Sequence, residues 1–337
     1  MRAAVWYGKN DLRTEEREKP SLEDGEVLIK VKACGICGTD LMICNEKFPR
    51  SHPPLIPGHE FSGEIVEIKD VSSNLKVGDR VVANPLFFCG RCVACKMGFT
   101  NACPKLGLIG VDIDGAFAEY VKASRDKVYK IPSRFPFQNA ALVEPVAVAY
   151  HAVRISGCKV GDFVVVLGAG PIGMLVAMIA KIAGASEVVL IEVAKYRLEL
   201  TKKLGFSTID ASGGNVVEKI HEMTEGKGAD LVFDTAAVSQ TAAQFISLIR
   251  PQGKIIILGL YKQPEKVDLF NIVIKEGHIL GSRVYTETDF EKAADLVTSG
   301  KIKMEPLITH HLTLEEANKG VRLLEQGKDV MKVVLFP

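Results

Sequence analysis

The sequence predicts an α/β protein built from two different domains. The first third contains short strands, as at 26–33, separated by glycine and proline, and many such strands favour a β-barrel or a sandwich. After about residue 140, continuous apolar runs such as 163–167 alternate with helical segments. Strands that are apolar on both faces are typical of a parallel sheet covered by helices, the doubly wound arrangement. A chain of 337 residues is long enough for about two domains.

Three strands are predicted in the first part. Residues 26–33 alternate apolar side chains with lysines, which is the period of a half-buried strand. A second strand is predicted at 64–68. Residues 76–82 begin with a turn at Gly78 and Asp79 and end in a third strand. These elements contain no internal repeat and no low-complexity segment.

Strands and helices alternate regularly in the second part. The predicted strands lie at 163–167, 187–191, 207–210, 230–234 and 253–260. The predicted helices lie at 174–183, 197–204, 216–224 and 240–249. The last stretch of the chain adds two helices and a terminal strand, at 289–299, 314–326 and 332–336. This order predicts a parallel sheet followed by a separate C-terminal segment.

The composition disfavours several classes of protein. The 42 Lys and Arg residues nearly balance the 41 Asp and Glu residues, giving a net charge of +1 and no basic block. We therefore expect no nucleic-acid partner and no attraction to an acidic membrane. The N-terminus lacks the apolar stretch of a signal peptide, and glycines break the longest uncharged run, 163–180. We expect a cytoplasmic protein whose eight cysteines include metal ligands rather than form a disulfide framework.

A glycine-rich turn follows the apolar run at 163–167 and opens the next helix. Its pattern is G-x-G-x-x-G, and its residues include Gly168, Gly170, Pro171, Ile172 and Gly173. The first glycine permits a tight turn, the second lets the backbone approach a pyrophosphate, and the third lets the helix pack on the strand. The turn therefore predicts a dinucleotide site. The alternative is a glycine turn that binds nothing.

An acidic residue, Glu192, ends the next apolar strand and indicates which dinucleotide is bound. A carboxylate at this place accepts hydrogen bonds from the ribose hydroxyls and repels a 2′-phosphate, so we expect NAD rather than NADP. Lys195 and Arg197 follow closely in the sequence and are expected to flank the adenosine.

Four cysteines occur close together with the spacing C-x2-C-x2-C-x7-C. They are Cys89, Cys92, Cys95 and Cys103. Four thiolates in so short a loop suit a closed, tetrahedral structural zinc, and the metal would supply the folding energy of the loop. The alternatives are disulfides, an iron–sulfur cluster and a nucleic-acid-binding zinc ribbon. The ribbon is disfavoured because the loop has few basic residues and no aromatic platform.

A second set of metal-binding side chains lies on predicted loops. Cys37 and Asp40 follow the strand at 26–33, His59 and Glu60 follow a proline-rich loop, and Glu144 lies near the start of the second domain. A thiolate, an imidazole and carboxylates can hold zinc with one position left for water or substrate. The alternatives are a simple surface pair at 59–60 and a helix start at 144–145.

The motifs carry a clear resemblance to a known family. They are CGICGTD, PLIPGHEFSG, CGRCVACKMGFTNAC, DGAFAEYV, ALVEPVAVAYHAV and GAGPIG. With Glu192, they make the chain resemble the zinc-containing medium-chain alcohol and polyol dehydrogenases over essentially its whole length. The resemblance implies a GroES-like β-barrel catalytic domain at 1–145 with a structural-zinc lobe at 85–105. It also implies a Rossmann NAD-binding domain at 146–284 and a C-terminal segment, 285–337, that returns to the catalytic domain.

The resemblance also implies roles for single residues. It assigns the catalytic zinc to Cys37, His59 and Glu60, with Glu144 as a fourth or exchangeable ligand. Glutamate rather than cysteine at 144 is similar to the sorbitol, butanediol, threonine and sugar-acid dehydrogenases. Thr39 is expected to take the hydroxyl proton of the substrate, and Asp40 to orient the histidine.

Two further positions bear on the reaction. Many relatives carry a histidine proton relay where this chain has Met42, and the candidates to replace it are His52, His151 and a water on Glu144. Arg283 lies in a stretch that resembles the substrate region of the family. It would hydrogen-bond a polyhydroxylated or carboxylate-bearing substrate, or serve as an ordinary loop arginine in a salt bridge.

The expected function is hydride transfer between a secondary alcohol of a polyol, diol or sugar acid and NAD, with catalytic and structural Zn²⁺. The alternatives are an L-threonine 3-dehydrogenase-like enzyme, a zinc-free quinone reductase of the same superfamily and, in a different class, a zinc-stabilised nucleic-acid-binding protein. We expect a homo-oligomer, a dimer or tetramer, because relatives commonly pair through Rossmann edge strands. In this chain those are the segments 253–260 or 276–281.

Overall fold

The computed structural model describes residues 1–69 and 74–337. The chain divides into two compact units, Met1–Ala147 with Thr286–Pro337, and Val148–Tyr285. Each unit has its own main sheet and its own hydrophobic core.

The N-terminal part of the first unit is mostly β-structure. Its strands are β1 Arg2–Gly8, β2 Asp11–Glu16, β3 Glu26–Ile36, β4 Glu60–Ile68, β5 Arg80–Ala83, β6 Leu86–Phe87, β7 Gly107–Leu108, β8 Tyr120–Ser124 and β9 Val128–Lys130. Its helices are α1 Gly38–Cys44, α2 Val93–Lys96 and α3 Phe137–Ala141, and α4 Val143–Ser156 leads into the second unit.

The second unit alternates strands and helices. Its strands are β10 Phe163–Leu167, β11 Glu187–Glu192, β12 Ser207–Asp210, β13 Ala229–Asp234, β14 Ile249–Ile257 and β15 His278–Gly281. Its helices are α5 Pro171–Ala183, α6 Lys195–Lys203, α7 Val216–Met223, α8 Ser239–Leu248 and α9 Leu269–Ile274. The chain then rejoins the first unit with α10 Glu287–Thr298, β16 Ile308–Thr313, α11 Ala317–Gln326 and β17 Lys332–Phe336.

The main sheet of the first unit is built around β3. Its strand order is β16-β17-β3-β4-β5-β9, with β8 also paired to β3. Val27, Ile29 and Val31 are buried in one core cluster while Lys30 is exposed, as predicted. Leu28 is also fully buried, and Ala33 lies in a separate cluster beyond a register shift, so the predicted alternation holds only in part. β17 pairs antiparallel with β3, matching Val333 to Ile36. The last strand of the chain therefore lies beside the segment that leads to Cys37.

The sheet of the second unit is fully parallel and doubly wound. Its order is β12-β11-β10-β13-β14-β15. The valines of β10 are completely buried, as expected for a strand covered by helices on both faces. The sheet reverses its direction of winding beside β10, and such switch points bind ligands at the carboxyl ends of the strands. The predicted α/β class is confirmed, with a β-rich first unit and a doubly wound parallel sheet in the second unit.

Several elements differ from the prediction. The strand expected at 253–260 is β14, and it lies between two neighbours, so its expected role as a sheet edge is wrong. The other candidate, 276–281, contains β15, which is an edge strand together with β12 at the opposite end of the sheet. The helix expected at 314–326 begins with a 3-10 turn and is α-helical only from Ala317. The β1–β2 hairpin, β16 and α9 were not predicted. In the described part of the chain, the helices are too short or too polar to cross a membrane.

Candidate active site and metal centres

Cys37 lies where β3 gives way to α1. It is the N-cap of that helix, and its backbone N–H donates to Oδ2 of Asp40 at 2.8 Å. An aspartate in the first turn of a helix satisfies a free N–H group in this way and complements the helix dipole. The turn therefore holds the Cys37 thiol at a defined place after the strand.

Asp40 ties this turn to the loop that carries His59. Its fully buried carboxylate accepts from the N–H of Gly58 at 3.2 Å, and its Oδ1 lies 3.4 Å from His59 Nδ1. The last contact is electrostatic rather than a well-aligned hydrogen bond. With Nδ1 facing Asp40, the ring presents Nε2 to its other neighbours, the arrangement typical of metal-ligating histidines.

The surroundings of His59 favour a cation. Burial by itself would lower the pKa of the imidazole, but the negative charges of Asp40 and Cys37 raise that pKa well above its ordinary value. Negative groups that stabilise a positive charge on the buried imidazole of His59, next to a thiol, would also stabilise a metal ion at this place.

Glu60 is the first residue of β4 and has a partner from the other end of the chain. Lys332 Nζ donates to Glu60 Oε1 at 2.6 Å and to the carbonyl oxygen of Ile36 at 3.1 Å. Burial opposes the charge of this ammonium, but the carboxylate of Glu60 and the charges of Cys37 and Glu144 raise the pKa of Lys332 above its usual value. Sequence reasoning missed this residue, although a lone lysine in an apolar terminal strand was a signal.

The structure brings three of the predicted ligands together. One donor atom each from Cys37, His59 and Glu60 lies within 4.8 Å of the others. Glu144 is buried in the first turn of α4 but is not part of this cluster. Thr39 is half-buried on α1, two residues after Cys37.

The cluster fits zinc. A sulfur, an imidazole nitrogen and a carboxylate oxygen are all zinc donors, and three protein ligands leave one position open, as in catalytic sites. Among the described residues, Oε2 of Glu60 is buried without a hydrogen-bond partner. A buried carboxylate oxygen without a partner is costly unless a cation compensates it.

The four-cysteine lobe forms a second cluster. The sulfurs of Cys89, Cys92, Cys95 and Cys103 lie within 4.8 Å of one another. Cys103 Sγ is 3.6 Å from Cys89 Sγ and 3.9 Å from Cys92 Sγ, which is far longer than a disulfide bond. Gly90 and Gly98 have φ of 69° and 83°, so glycine permits the turns between the cysteines. Among the described residues this cluster consists of four converging thiols, which matches a closed structural zinc site.

The thiols of this lobe have unequal affinities for protons. Backbone N–H groups of Arg91 and Cys92 lower the pKa of Cys89 to about 6, whereas partial burial and the neighbouring thiols raise the pKa of Cys95 to about 12. Four adjacent thiolates repel one another unless a cation lies between them. Zinc binding would release the remaining protons.

The glycine-rich turn has the predicted backbone shape. Gly168 has φ of 98°, and its N–H donates to the carbonyl oxygen of Ile191 at 2.8 Å. A Cβ on Gly173 would overlap the carbonyl oxygen of Gly168, so only glycine lets α5 start this close to β10. Gly170 is the N-cap and Pro171 the first residue of α5. Because no side chain caps this helix, its first N–H groups remain available to a phosphate.

Glu192 and Arg197 lie beside this turn. One oxygen of Glu192 accepts from Ala169 N at 3.0 Å and the other from Val193 N at 2.8 Å. Arg197 Nη1 lies 3.6 Å from Glu192 Oε2. The same nitrogen, Nη1, would lie 3.6 Å from a Cβ on Gly170. An acidic group and an arginine thus flank the turn, as expected for a nucleotide site.

The other candidate residues lie in varied surroundings. Arg283 is exposed just after β15. His151 is buried with Nδ1 3.3 Å from Arg154, whereas His52 is exposed. Met42 is half-buried on α1. The identity of the group that relays the proton therefore stays a prediction.

Comparison with protein families matches both units. Residues 23–133 match the family described as alcohol dehydrogenase GroES-like domain, and residues 171–299 match the family described as zinc-binding dehydrogenase.

Comparison with individual proteins gives full-length matches. The chain is 36% identical to L-threonine 3-dehydrogenase of Bacillus licheniformis, covering 94% of this chain and 93% of that one. It is 34% identical to sorbitol dehydrogenase of Halalkalibacterium halodurans, covering 98% and 97%. A zinc-binding dehydrogenase from Sinorhizobium meliloti, solved bound to NADP, is 34% identical with a TM-score of 0.93, covering 100% and 99%.

Proposed function

Because the chain belongs to the zinc-containing medium-chain alcohol dehydrogenase family, we propose that it oxidises a secondary alcohol of a polyol, diol or sugar acid with NAD. Family membership makes the protein a zinc-dependent alcohol oxidoreductase with a nicotinamide cofactor and a small-molecule substrate. It also decides against the alternative of a zinc-stabilised nucleic-acid-binding protein. In the proposed reaction the alcohol carbon transfers a hydride to NAD⁺, and the hydroxyl proton leaves, giving a ketone, NADH and H⁺.

The convergence of Cys37, His59 and Glu60 carries the proposal. Zinc held by these residues would supply a Lewis acid that lowers the pKa of the substrate hydroxyl. Asp40 would keep the histidine ring in place through Nδ1. We assign Thr39 to relay the hydroxyl proton, accepting it from the substrate while its own hydroxyl proton passes on toward solvent, because it stands two residues after the cysteine on the same helical turn. Glu144, buried nearby on α4, is proposed as an exchangeable ligand.

The preference for NAD rests on Glu192. Its carboxylate stands beside the glycine turn. Oε1 accepts from the N–H groups of Val193 and Ala194, whereas Oε2 accepts from that of Ala169 and retains a lone pair. That lone pair suits a ribose hydroxyl, and the negative charge of the carboxylate opposes a 2′-phosphate. Arg197, close to Gly170, is proposed to contact the phosphate or ribose side of the cofactor. The NADP bound to the Sinorhizobium relative makes this preference worth testing.

L-Threonine is the second candidate substrate, because a full-length relative bears the name L-threonine 3-dehydrogenase. Threonine also carries a secondary hydroxyl, so the same metal chemistry applies. An NAD-coupled assay over sorbitol, xylitol, butanediol, hexonates and threonine decides between the candidates. The highest kcat/KM is expected for a polyol, diol or hexonate, and a preference for threonine above all of them contradicts the primary proposal.

The metal content tests the reaction class. The proposal requires about two zinc ions per chain, one in each cluster. Replacing Cys37 with alanine is expected to remove one zinc and the NADH-forming activity while leaving the four-cysteine zinc in place. A wild-type content of one zinc, unchanged by C37A, contradicts the proposed site. Activity that survives complete removal of zinc supports the quinone-reductase alternative instead.

We also propose a homo-oligomer, a dimer or tetramer, that works in the cytoplasm. The edge strand β15 offers backbone hydrogen-bonding groups, and α9 exposes the apolar residues Leu269, Phe270, Val273 and Ile274 at 64% to 73%. An exposed edge beside an apolar helix is typical of a contact between copies. A reducing compartment would keep the zinc-binding thiols available.

A further inference from the structure

Lys332, on the C-terminal strand β17, is paired with one oxygen of the Glu60 carboxylate. Lys332 and Glu60 are 272 positions apart in sequence, yet Nζ lies 2.6 Å from Oε1. Their side chains are 5% and 1% exposed. The ammonium is held from a second side by the carbonyl oxygen of Ile36, the residue just before Cys37. The contact is therefore a buried, oriented ion pair and not a solvent-exposed one, which would have little effect.

The other oxygen of Glu60 is held in a defined place. Glu60 is paired with Gly35 across β3 and β4, and Oε2 occupies the volume that a Cβ on Gly35 would fill. Among the described residues Oε2 has no hydrogen-bond partner. The carboxylate is thus fixed with one oxygen engaged by Lys332 and one oxygen available.

The number of available oxygens matters at a catalytic zinc. A carboxylate with both oxygens available can bind a cation through both, and zinc expands readily to five ligands. Two oxygens from Glu60, added to Cys37 and His59, would fill a tetrahedral site. A reaction at the metal needs one of those four positions for the substrate hydroxyl.

We propose that Lys332 is a positioning residue that limits Glu60 to a single metal-ligating oxygen, Oε2, and thereby keeps the fourth position open for the substrate. The inference rests on the proposed metal site of Cys37, His59 and Glu60. It assigns to the C-terminal strand a part in the reaction: β17 supplies the group that sets the coordination number of the catalytic metal.

The test replaces the ammonium without changing the size of the strand residue greatly. K332M removes the donor, K332R retains a charged donor, and K328M is the control because Lys328 is exposed on the same segment. Zinc per chain is measured first, and then the visible spectrum of protein with Co²⁺ in the catalytic site. We expect K332M to keep both metals but to show a Co²⁺ spectrum that differs from that of the wild type and does not change when substrate is added.

Activity provides the second measurement. The kcat/KM of K332M with NAD and the alcohol is expected to fall about 10- to 100-fold, the usual effect of changing a residue that supports a metal ligand. K332R is expected to restore both the spectrum and most of the activity, and K328M to match the wild type. Loss of the catalytic metal from K332M, or a wild-type spectrum in that variant, overturns the inference.

A crystal structure of the zinc-loaded wild type tests the same point if K332M does not fold. The expected result is Lys332 on Oε1 and zinc on Oε2 alone, whereas zinc on both oxygens overturns the inference. Failure of the proposed function itself has a different signature. In that case the wild type holds a single zinc that C37A does not remove, whatever the behaviour of the Lys332 variants.

Discussion

Gly173 packs directly on the carbonyl oxygen of Gly168, with no room between them for a Cβ. This close approach lets α5 begin immediately after β10 and directs the free N–H groups of its first turn toward the predicted phosphate position. The relationship also makes the dinucleotide turn testable without touching any charged group.

Replacing Gly173 with alanine is expected to weaken NADH binding at least 10-fold and to destabilise the protein by about 1–3 kcal/mol, because overpacking displaces the turn. The control is G213A, since a Cβ at Gly213 meets nothing within 4 Å. NADH fluorescence titration and urea unfolding measure the two effects. Unchanged NADH affinity in G173A would show that the turn does not hold the cofactor.

The cofactor preference is tested at Glu192. Gln at this position keeps the size of the side chain, but it loses the negative charge and has a hydrogen-bond donor, NH2, in place of one of the two acceptor oxygens. E192Q is therefore expected to bind NAD about 10-fold more weakly and NADP more tightly. The ratio of kcat/KM values for the two cofactors measures the shift. E199Q, an exposed change on α6, is the control. A ratio that does not move assigns the preference to other residues.

Asp40 is expected to govern retention of the catalytic zinc. D40N leaves the size unchanged but removes the carboxylate that faces His59 and bonds the N–H groups of Cys37 and Gly58. The affinity of the catalytic site for zinc should fall about 10- to 100-fold. Competition with a chelator measures this affinity, and the exposed change D126N serves as the control. Equal affinities in the two variants would limit Asp40 to a structural role.

The four-cysteine lobe is expected to depend on its metal for structure. C103S should remove one zinc per chain and lower the melting temperature, because the lobe has little core of its own and the buried Cys103 contacts two other thiols. Metal analysis should show that the catalytic zinc remains. Chelation of the wild type is expected to reproduce the lower melting temperature, and readdition of zinc should reverse it. A variant that melts like the wild type contradicts this assignment.

The exposed face of α9 is expected to hold copies of the chain together. V273D places a charge on a residue that is 72% exposed in the single chain. Burial of that charge between subunits would be costly, so the variant should sediment as a smaller species than the wild type. I182D is the matched control, since Ile182 is 46% exposed on α5. If I182D dissociates the oligomer and V273D does not, the contact between subunits does not involve α9.

Local patterns accounted for much of the fold. The apolar run at 163–167 became β10 with the predicted bounds, and the terminal strand became β17 with its predicted bounds. Such elements can be read from sequence because burial on one or both faces sets the period of the side chains. α9 could not be read in this way, because four of its apolar residues are exposed and only Ile272 packs against the core of the second unit.

The position of each strand within the sheet could not be predicted from local patterns. The two candidate edge segments look alike in sequence, and only the strand order showed that β14 is enclosed whereas β15 lies at an edge. Sheet order depends on crossover connections between distant segments, which leave no periodic mark on either strand.

By itself, the sequence determined the chemistry that the protein carries: two sets of zinc donors, a dinucleotide turn and the alternation of strands and helices around it. Those features depend on neighbouring residues, whose spacing is visible along the chain. Only the tertiary structure decided that Cys37, His59 and Glu60 converge without Glu144, and that Lys332 from the last strand bonds Glu60. These contacts join residues far apart in the chain. The pairing of β3 with β4 brings Cys37 close to His59 and Glu60, and the pairing of β17 with β3 brings Lys332 close to Glu60.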